Sequence, residues 1–213
     1  MSVSFITFAS EGESKIEVSK SVFIGNSAEV TSAEEAEAYV ARIRSTYPDA
    51  RHVCYAWRVS GQTFMQKYSD DGEPSGTGGM PILNVLDKKE ITNGVITVTR
   101  YFGGILLGKG GLVRAYTDAA AAAVSESGLV SIIEGEIYAM TSPYDLAEKL
   151  LYALKQAGWS AGEPEYGENV VIRVTCPKDK GEELQGFVED RSFGRVKAEK
   201  EGPALIREPL PEI

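Results

Sequence analysis

GVITVTRYFGGILLGKGGLVRAYTDAAAAAVSES, residues 94–127, runs from a β-rich segment through five glycines into an alanine-rich one. Residues 94–102 are almost continuously β-branched or aromatic, the composition of a strand buried on both faces. Residues 112–127 read as a helix that stops at Gly128. Strand, loop and helix in direct succession make this a mixed α and β chain. The loop between them is unusual: Gly103, Gly104, Gly108, Gly110 and Gly111 sit among Arg100, Lys109 and Arg114, and no acid occurs from Ile91 to Thr117. Glycine weakens a chain unless positive φ or a close approach to the backbone requires it. Two readings follow. The glycines allow tight packing of strand on helix, or they let N–H groups of residues 108–112, at the helix start, wrap a phosphate-like anion with help from Arg100, Lys109 and Arg114. The lysine is followed by glycine rather than Ser or Thr, so this is not a nucleotide-binding P-loop, and GxGxxG is absent too.

Around this segment the pattern is regular. Residues 16–24 read as a first strand. Thr31 and Glu34 form a capping box opening a helix over 32–46. HVCYAWRV (52–59) and TFMQKYS (63–69) form a hairpin about Ser60-Gly61-Gln62. A loop over 70–79 leads into a short helix with Pro81 in its first turn. After residues 128–131 the pattern restarts: a strand over 132–140, a helix from Ser142 as N-cap to about 157, strands over 159–166 and 169–176, a helix over 179–190 and a strand over 194–206. That βαββαβ order is the split βαβ, ferredoxin-like arrangement. The expected fold is therefore α+β in two domains, 1–129 and 130–213.

Composition limits the function classes. The chain has 213 residues and a net charge of −9, against general nucleic-acid or bulk DNA binding. Any contact with RNA or phosphate should be local, because the charge is uneven: net −3 over residues 1–130 and −6 over 131–213. No apolar run is long enough to span a membrane, and MSVSFITFASEGESK lacks the basic start of a signal peptide. Cys54 and Cys176 read as reduced thiols of a cytoplasmic protein. One histidine, His52, leaves no His-rich metal site, so neither metal nor cofactor is expected. His52 and Cys54, two apart on a strand, stand ~6–7 Å apart at Cβ, too far for proton transfer, and read as packed core. Tyr101 and Phe102 could stack on a base, although adjacent strand residues point opposite ways and at least one should be core. In the loop Asp70-Asp71-Gly72-Glu73-Pro74, Asp71 and Glu73 are the candidate acid and base, or metal ligands; alternatively these acids only shape a turn and cap the next helix.

HVCYAWRV, DDGEPSGTGGMPIL and VTRYFGGILLGKGGLVRAY, in that order, closely resemble the bacterial YigZ branch of the IMPACT family. The resemblance covers about 16–125 strongly, and residues 130–213 look like that family's second domain. It implies a ribosomal-S-five domain-two-like fold with helices on one sheet face, followed by a domain similar to a terminal domain of elongation factor G. Gly78-Gly79 departs from the expected Ala-Gly. In eukaryotic relatives the domain accompanies an RWD domain and modulates the starvation-sensing kinase that regulates translation initiation; no RWD segment occurs here. The resemblance thus implies a non-catalytic regulator linked to translation, touching RNA, the ribosome or a translation factor through Arg100–Tyr116. Two rivals stay open: an enzyme acting on a small phosphorylated or anionic substrate with Asp71 and Glu73 as acid and base, and a protein-interaction module with an apolar patch on its C-terminal sheet.

Overall fold

The strand expected over 94–102 is the middle strand of a five-stranded antiparallel sheet in the computed structural model, which describes residues 3–61 and 63–210. This strand, β6 (Gly94–Tyr101), is buried along nearly its whole length. Its sheet runs β2 (Gly12–Val18), β3 (Ser21–Glu29), β6, β4 (His52–Val59), β5 (Met65–Ser69). Alternation along β4 sends Cys54 and Ala56 to one face and Val53, Tyr55, Trp57 and Val59 to the other. The first face is covered by α2 (Gly79–Lys88) and α3 (Gly108–Ser127), through Ile82, Leu86, Leu112, Tyr116 and Ala120. The second is covered by α1 (Ala33–Thr46), through Ala36, Tyr39, Val40 and Ile43. Helices therefore lie on both faces, not on one. The double burial of β4 and β6 requires it, since each outward row would otherwise expose valine, tyrosine and tryptophan.

Several boundaries move for identifiable reasons. Residues 16–24 are not one strand but the hairpin of β2 and β3, with Val18 opposite Ser21. Its two-residue turn puts Ser19 and Lys20 at φ 49° and 65°, the geometry of a type I′ turn without the usual Asn-Gly signal. β1 (Val3–Phe8), unanticipated, bridges Ile91 through Ile6 and buries Phe8. The α1 cap sits one residue later than expected: Ser32 accepts from the Glu35 N–H, while the Glu35 carboxylate accepts from the Thr31 N–H and hydroxyl. The hairpin of β4 and β5 forms with Val59 opposite Met65; Gln62 of its expected turn lies outside the described residues.

The chain divides into two compact units, Phe5–Ser131 with 209–210, and Ile132–Glu208 with 3–4, counting described residues. In the second unit β7 (Leu129–Ser142), α4 (Tyr144–Gln156), β8 (Ser160–Ala161), β9 (Glu165–Tyr166), β10 (Val170–Pro177), α5 (Gly181–Arg191) and β11 (Glu199–Pro209) follow the expected βαββαβ order. β7 lies between β11 and β10, and β10 also pairs β8 and β9. Met140, Ile172, Val174 and Cys176 face Leu150, Leu154, Leu184 and Val188 of the two helices. The strand expected over 159–166 is split in two by Gly162-Glu163-Pro164, where proline has no N–H for the ladder. Pro143, not Ser142, is the N-cap of α4, and β11 starts at Glu199 rather than 194.

α3 begins at Gly108, four residues before the expected start, so Gly110 and Gly111 are helical. Gly104 and Gly108 have positive φ, 84° and 68°. Gly103 is different: a Cβ there would collide with the Lys20 backbone. A Cβ on Gly110 would meet open space. Gly103→Ala is therefore expected to destabilise by ~1–3 kcal/mol or more through overpacking. Gly110→Ala should raise stability by up to ~1 kcal/mol through helix propensity. Thermal melts of the two variants check the opposite signs; a comparable loss in both would contradict this division.

A buried carboxylate joins the two glycine segments

The carboxylate loop is held by its own backbone before it reaches the other glycine segment. Asp70 receives the N–H groups of Gly78 and Gly79 on Oδ1 and of Gly76 on Oδ2, all at 2.9 Å, and so caps α2. Burial works to raise the Asp70 carboxyl, yet these backbone donors outweigh it and hold the group below its ordinary value. Asp71, at φ 43°, accepts from the Val53 N–H at 2.7 Å and from Arg44 at 2.7 Å. Its carbonyl oxygen lies 2.8 Å from His52 Nδ1. The Cys54 thiol donates to the Asp70 carbonyl at 3.0 Å, and burial pushes it up to about 12. Cys54 is thus protonated and packed at neutral pH, not a thiolate nucleophile.

With its neighbours fixed, Glu73 points inward. Its Oε1 accepts from Arg100 Nη1 at 2.7 Å and from the Tyr116 hydroxyl at 2.8 Å. Glu73 and Arg100 are 8% and 7% exposed, and Tyr116 is fully buried. Burial and the nearby Cys54 and Glu73 push the Tyr116 hydroxyl far up, so it stays a donor. Phe23 closes the cluster, edge-on to Tyr116 with ring centroids 5.3 Å apart and 5.4 Å from the Arg100 guanidinium. The first and last residues of RYFGGILLGKGGLVRAY thereby clamp one carboxylate of the DGEP loop.

This geometry corrects several expectations. Asp71 and Glu73 are both engaged by fixed partners, so neither is a free acid or base. Arg100 is a buried ion-pair partner rather than an exposed phosphate contact. Tyr101 is half-buried and Phe102 is 55% exposed, so neither ring is core. Lys109 and Arg114 are exposed, with no ion-pair partner among the described residues. Between them and the clamp, Ile105 and Leu106 are exposed as well, Leu106 by 87%. The N-cap of α3, Leu107, supplies no side-chain hydrogen bond, and no acid lies in the first turn.

A cavity of about 430 Å³ opens at the end of β4 and β6, lined by Asp49, Arg51, His52, Arg100, Tyr101, Phe102 and Leu106. His52 and Arg100 are directly paired across the two strands. Composition marked His52 only as the lone histidine and did not mark Arg51; the pairing register places His52 opposite Arg100, and Arg51 precedes it at the cavity. In the second unit, Arg173 on β10 is bridged to Glu165 and Glu201, each at 2.7 Å. Large exposed apolar side chains there lie on separate elements: Tyr144 and Tyr152 on α4, Tyr166 on β9, Leu205 on β11 and Phe193 after α5.

Two α+β units, the first with its sheet covered on both faces and its glycine segments clamped by a buried ion pair, define the class of protein. Residues 19–124 match the Impact N-terminal domain, and residues 140–195 match a domain of unknown function, DUF1949. IMPACT family member YvyE of Bacillus subtilis is 36% identical over 78% of this chain and 77% of its own. IMPACT family member YigZ of Escherichia coli is 34% identical over 84% of this chain and 89% of its own. A solved structure described only as a hypothetical protein is 32% identical, covers 93% of this chain and 97% of its own, and superposes with a TM-score of 0.60. The chain belongs to the IMPACT family.

Breaking the clamp on one side leaves a charge without compensation. Glu73→Gln, which strands the Arg100 guanidinium, should cost ~3–5 kcal/mol. Tyr116→Phe removes one hydrogen bond and should cost ~1–2 kcal/mol; denaturant unfolding of both variants measures the ratio. At Gly78 a Cβ would come within 2.5 Å of Cys54 Sγ. Gly78→Ala should therefore destabilise by ~1–3 kcal/mol, and Cys54→Ala in the same chain should recover most of that loss. If the double variant is no better than Gly78→Ala alone, the thiol is not what excludes alanine.

Proposed function

We propose that this chain is a non-catalytic regulator linked to translation, contacting RNA on the ribosome or on a translation factor through the surface from Phe102 to Arg114. Family membership supports the translation link, as the resemblance to eukaryotic IMPACT proteins implies. The observation that carries the contact surface is the exposed segment itself. Phe102, Ile105 and Leu106 stand in solvent beside Lys109 and Arg114, on a backbone where Gly104, Gly108 and Gly110 leave open space. The uncapped first turn of α3 adds N–H donors for a phosphate, and Phe102 offers a stacking face. The clamp beneath fixes the segment at both ends, so a partner meets a surface ordered in advance. The two domains are proposed to divide near residues 129–131, with this surface in the first.

An acid–base enzyme built on Asp71 and Glu73 has no such support, since both carboxylates already hold structural partners. At net charge −9 the contact should be modest in affinity and steeply weakened by salt. Co-sedimentation with ribosomes at low salt tests the proposal. Wild type should pellet with ribosomes, Lys109→Ala with Arg114→Ala should pellet several-fold less, and added salt should release both. No association by the wild type rejects the proposal, and equal association of the two proteins removes the basic surface from it.

A further inference from the structure

We infer that the notch between α4 and β9, in the second unit, binds a methylated ammonium group, held against the rings of Tyr144 and Tyr166 with the Glu148 carboxylate beside it. The inference does not depend on the proposed translation surface, whose residues all lie in the first unit.

The spacing along α4 builds one wall of the notch. Tyr144, Ala147, Glu148 and Leu151 recur at the interval that puts them on one helix face. The other wall comes from Pro164, from Tyr166 on β9 and from Val170 on β10. Ala147 and Val170 are buried, so the bottom is apolar. Both tyrosine rings line the opening, with centroids 6.3 Å apart and planes tilted by 30°. The Tyr144 hydroxyl donates to the Gly167 carbonyl at 2.8 Å, which ties α4 to the turn between β9 and β10. Folding therefore accounts for that ring. Tyr166 has no such account: it is 69% exposed, and its hydroxyl has no hydrogen-bond partner among the described residues.

Size and charge decide what fits. The notch has a volume of about 50 Å³. A single water needs ~10–15 Å³ of such space, so there is room for a head group of about four heavy atoms and none for a drug-sized ligand. An apolar knob and a compact cation both meet that limit. The lining holds one carboxylate, Glu148, and no cation. Glu148 is exposed and makes no ion pair among the described residues. The chain that forms the second wall is also one-sided: Ala157 to Ile172 contains Glu163, Glu165 and Glu168 and no lysine or arginine. Of these acids only Glu165 has an ion-pair partner, Arg173, among the described residues. Aromatic rings attract a cation through their quadrupole, and a methylated ammonium loses little hydration on entering such a site. Four heavy atoms, one positive charge and an apolar skin together describe a trimethylammonium head.

NMR titration of the tyrosine ring signals of the full chain tests this with choline and with dimethylbutanol, its uncharged carbon isostere. Choline should bind ~10-fold more tightly, the effect of two partly exposed cation–π contacts. Tyr166→Leu keeps an apolar side chain at an exposed position and removes the ring. It should melt like wild type, bind both probes and lose the preference for choline. Glu148→Gln should weaken choline several-fold and leave the alcohol unchanged, and provides a second variant if Tyr166→Leu folds poorly. A trimethyllysine peptide titrated beside free choline separates the two sources of this group: tighter binding of the peptide assigns the notch to a modified protein side chain, and tighter binding of choline to a small molecule. Equal binding of choline and dimethylbutanol by the wild type overturns the inference and leaves an apolar notch. An unchanged preference in a folded Tyr166→Leu, or no binding of either probe, overturns it as well.

Discussion

The carboxylate of Glu73, buried between the Arg100 guanidinium and the Tyr116 hydroxyl, holds the first unit's loops in register. Without it the DGEP loop is tied to β4, to α2 and, through Arg44, to α1, but neither to the end of β6 nor to α3. The segment from Phe102 to Leu107 would keep the Gly103 N–H bond to the Ser21 hydroxyl and the packing of Leu107, but its two flanking elements would lose their common anchor. With it, one oxygen joins the loop after β5, the end of the central strand and the third turn of α3. A buried ion pair is a poor source of net stability, because desolvating both charges offsets most of their attraction. Its effect is specificity: only one arrangement of the loops satisfies all three groups. The phenol's hydrogen bond and the Phe23 ring over the guanidinium complete the desolvated shell.

How much of this could be read from the sequence depends on the range of the interaction concerned. β6 was legible because a strand buried on both faces is built mainly of β-branched and aromatic residues, and 94–101 is, with Arg100 its one charge. β4 was legible to the residue for the same reason, and α2 and α5 nearly so. The hairpin turn at Ser19 and Lys20 was hidden, since neither residue advertises the positive φ it adopts. The split of the 159–166 strand was signalled by Pro164. The cover on both sheet faces was implicit in the strand compositions, yet a fold resemblance pointed to one face. Glu73 and Arg100 were both singled out, but as a possible base and a surface cation. Their separation of 27 residues in sequence conceals that each is the other's partner. His52 stood out only as the lone histidine, two residues from Cys54; its place beside Arg100 is a fact of strand register.

The five glycines between Gly103 and Gly111 divide by mechanism, and the division shows why one explanation for all of them fails. Gly103 is steric: the Lys20 backbone occupies the space of any Cβ. Gly104 and Gly108 are conformational, each at a positive φ that turns the chain between strand and helix. Gly110 and Gly111 lie in the first turn of α3 with ordinary helical dihedrals. Gly111 is limited by the Leu107 Cβ at 3.0 Å, and Gly110 by nothing in the chain. A residue weak in helix propensity, with open space around it, on the turn that presents unsatisfied N–H groups, has no folding role in this structure.

The absence of acids from Ile91 to Thr117 can be separated in the same way. An acid near Glu73 would repel a carboxylate that is already desolvated, which accounts for the neighbourhood of Arg100 and Tyr116. Burial accounts for β6, where any charge without a partner is excluded. Neither reason reaches the exposed positions from Ile105 to Arg114, which lie in solvent and would tolerate a carboxylate as well as the rest of this acidic surface does. Folding therefore explains the ends of the acid-free segment and leaves its middle unexplained. What remains there is a surface kept free of negative charge in a protein that is negative overall, with two cations, three exposed apolar side chains and an open helix start on it. That residue of the pattern, rather than the glycine count, is the part of the sequence that points outward to a partner.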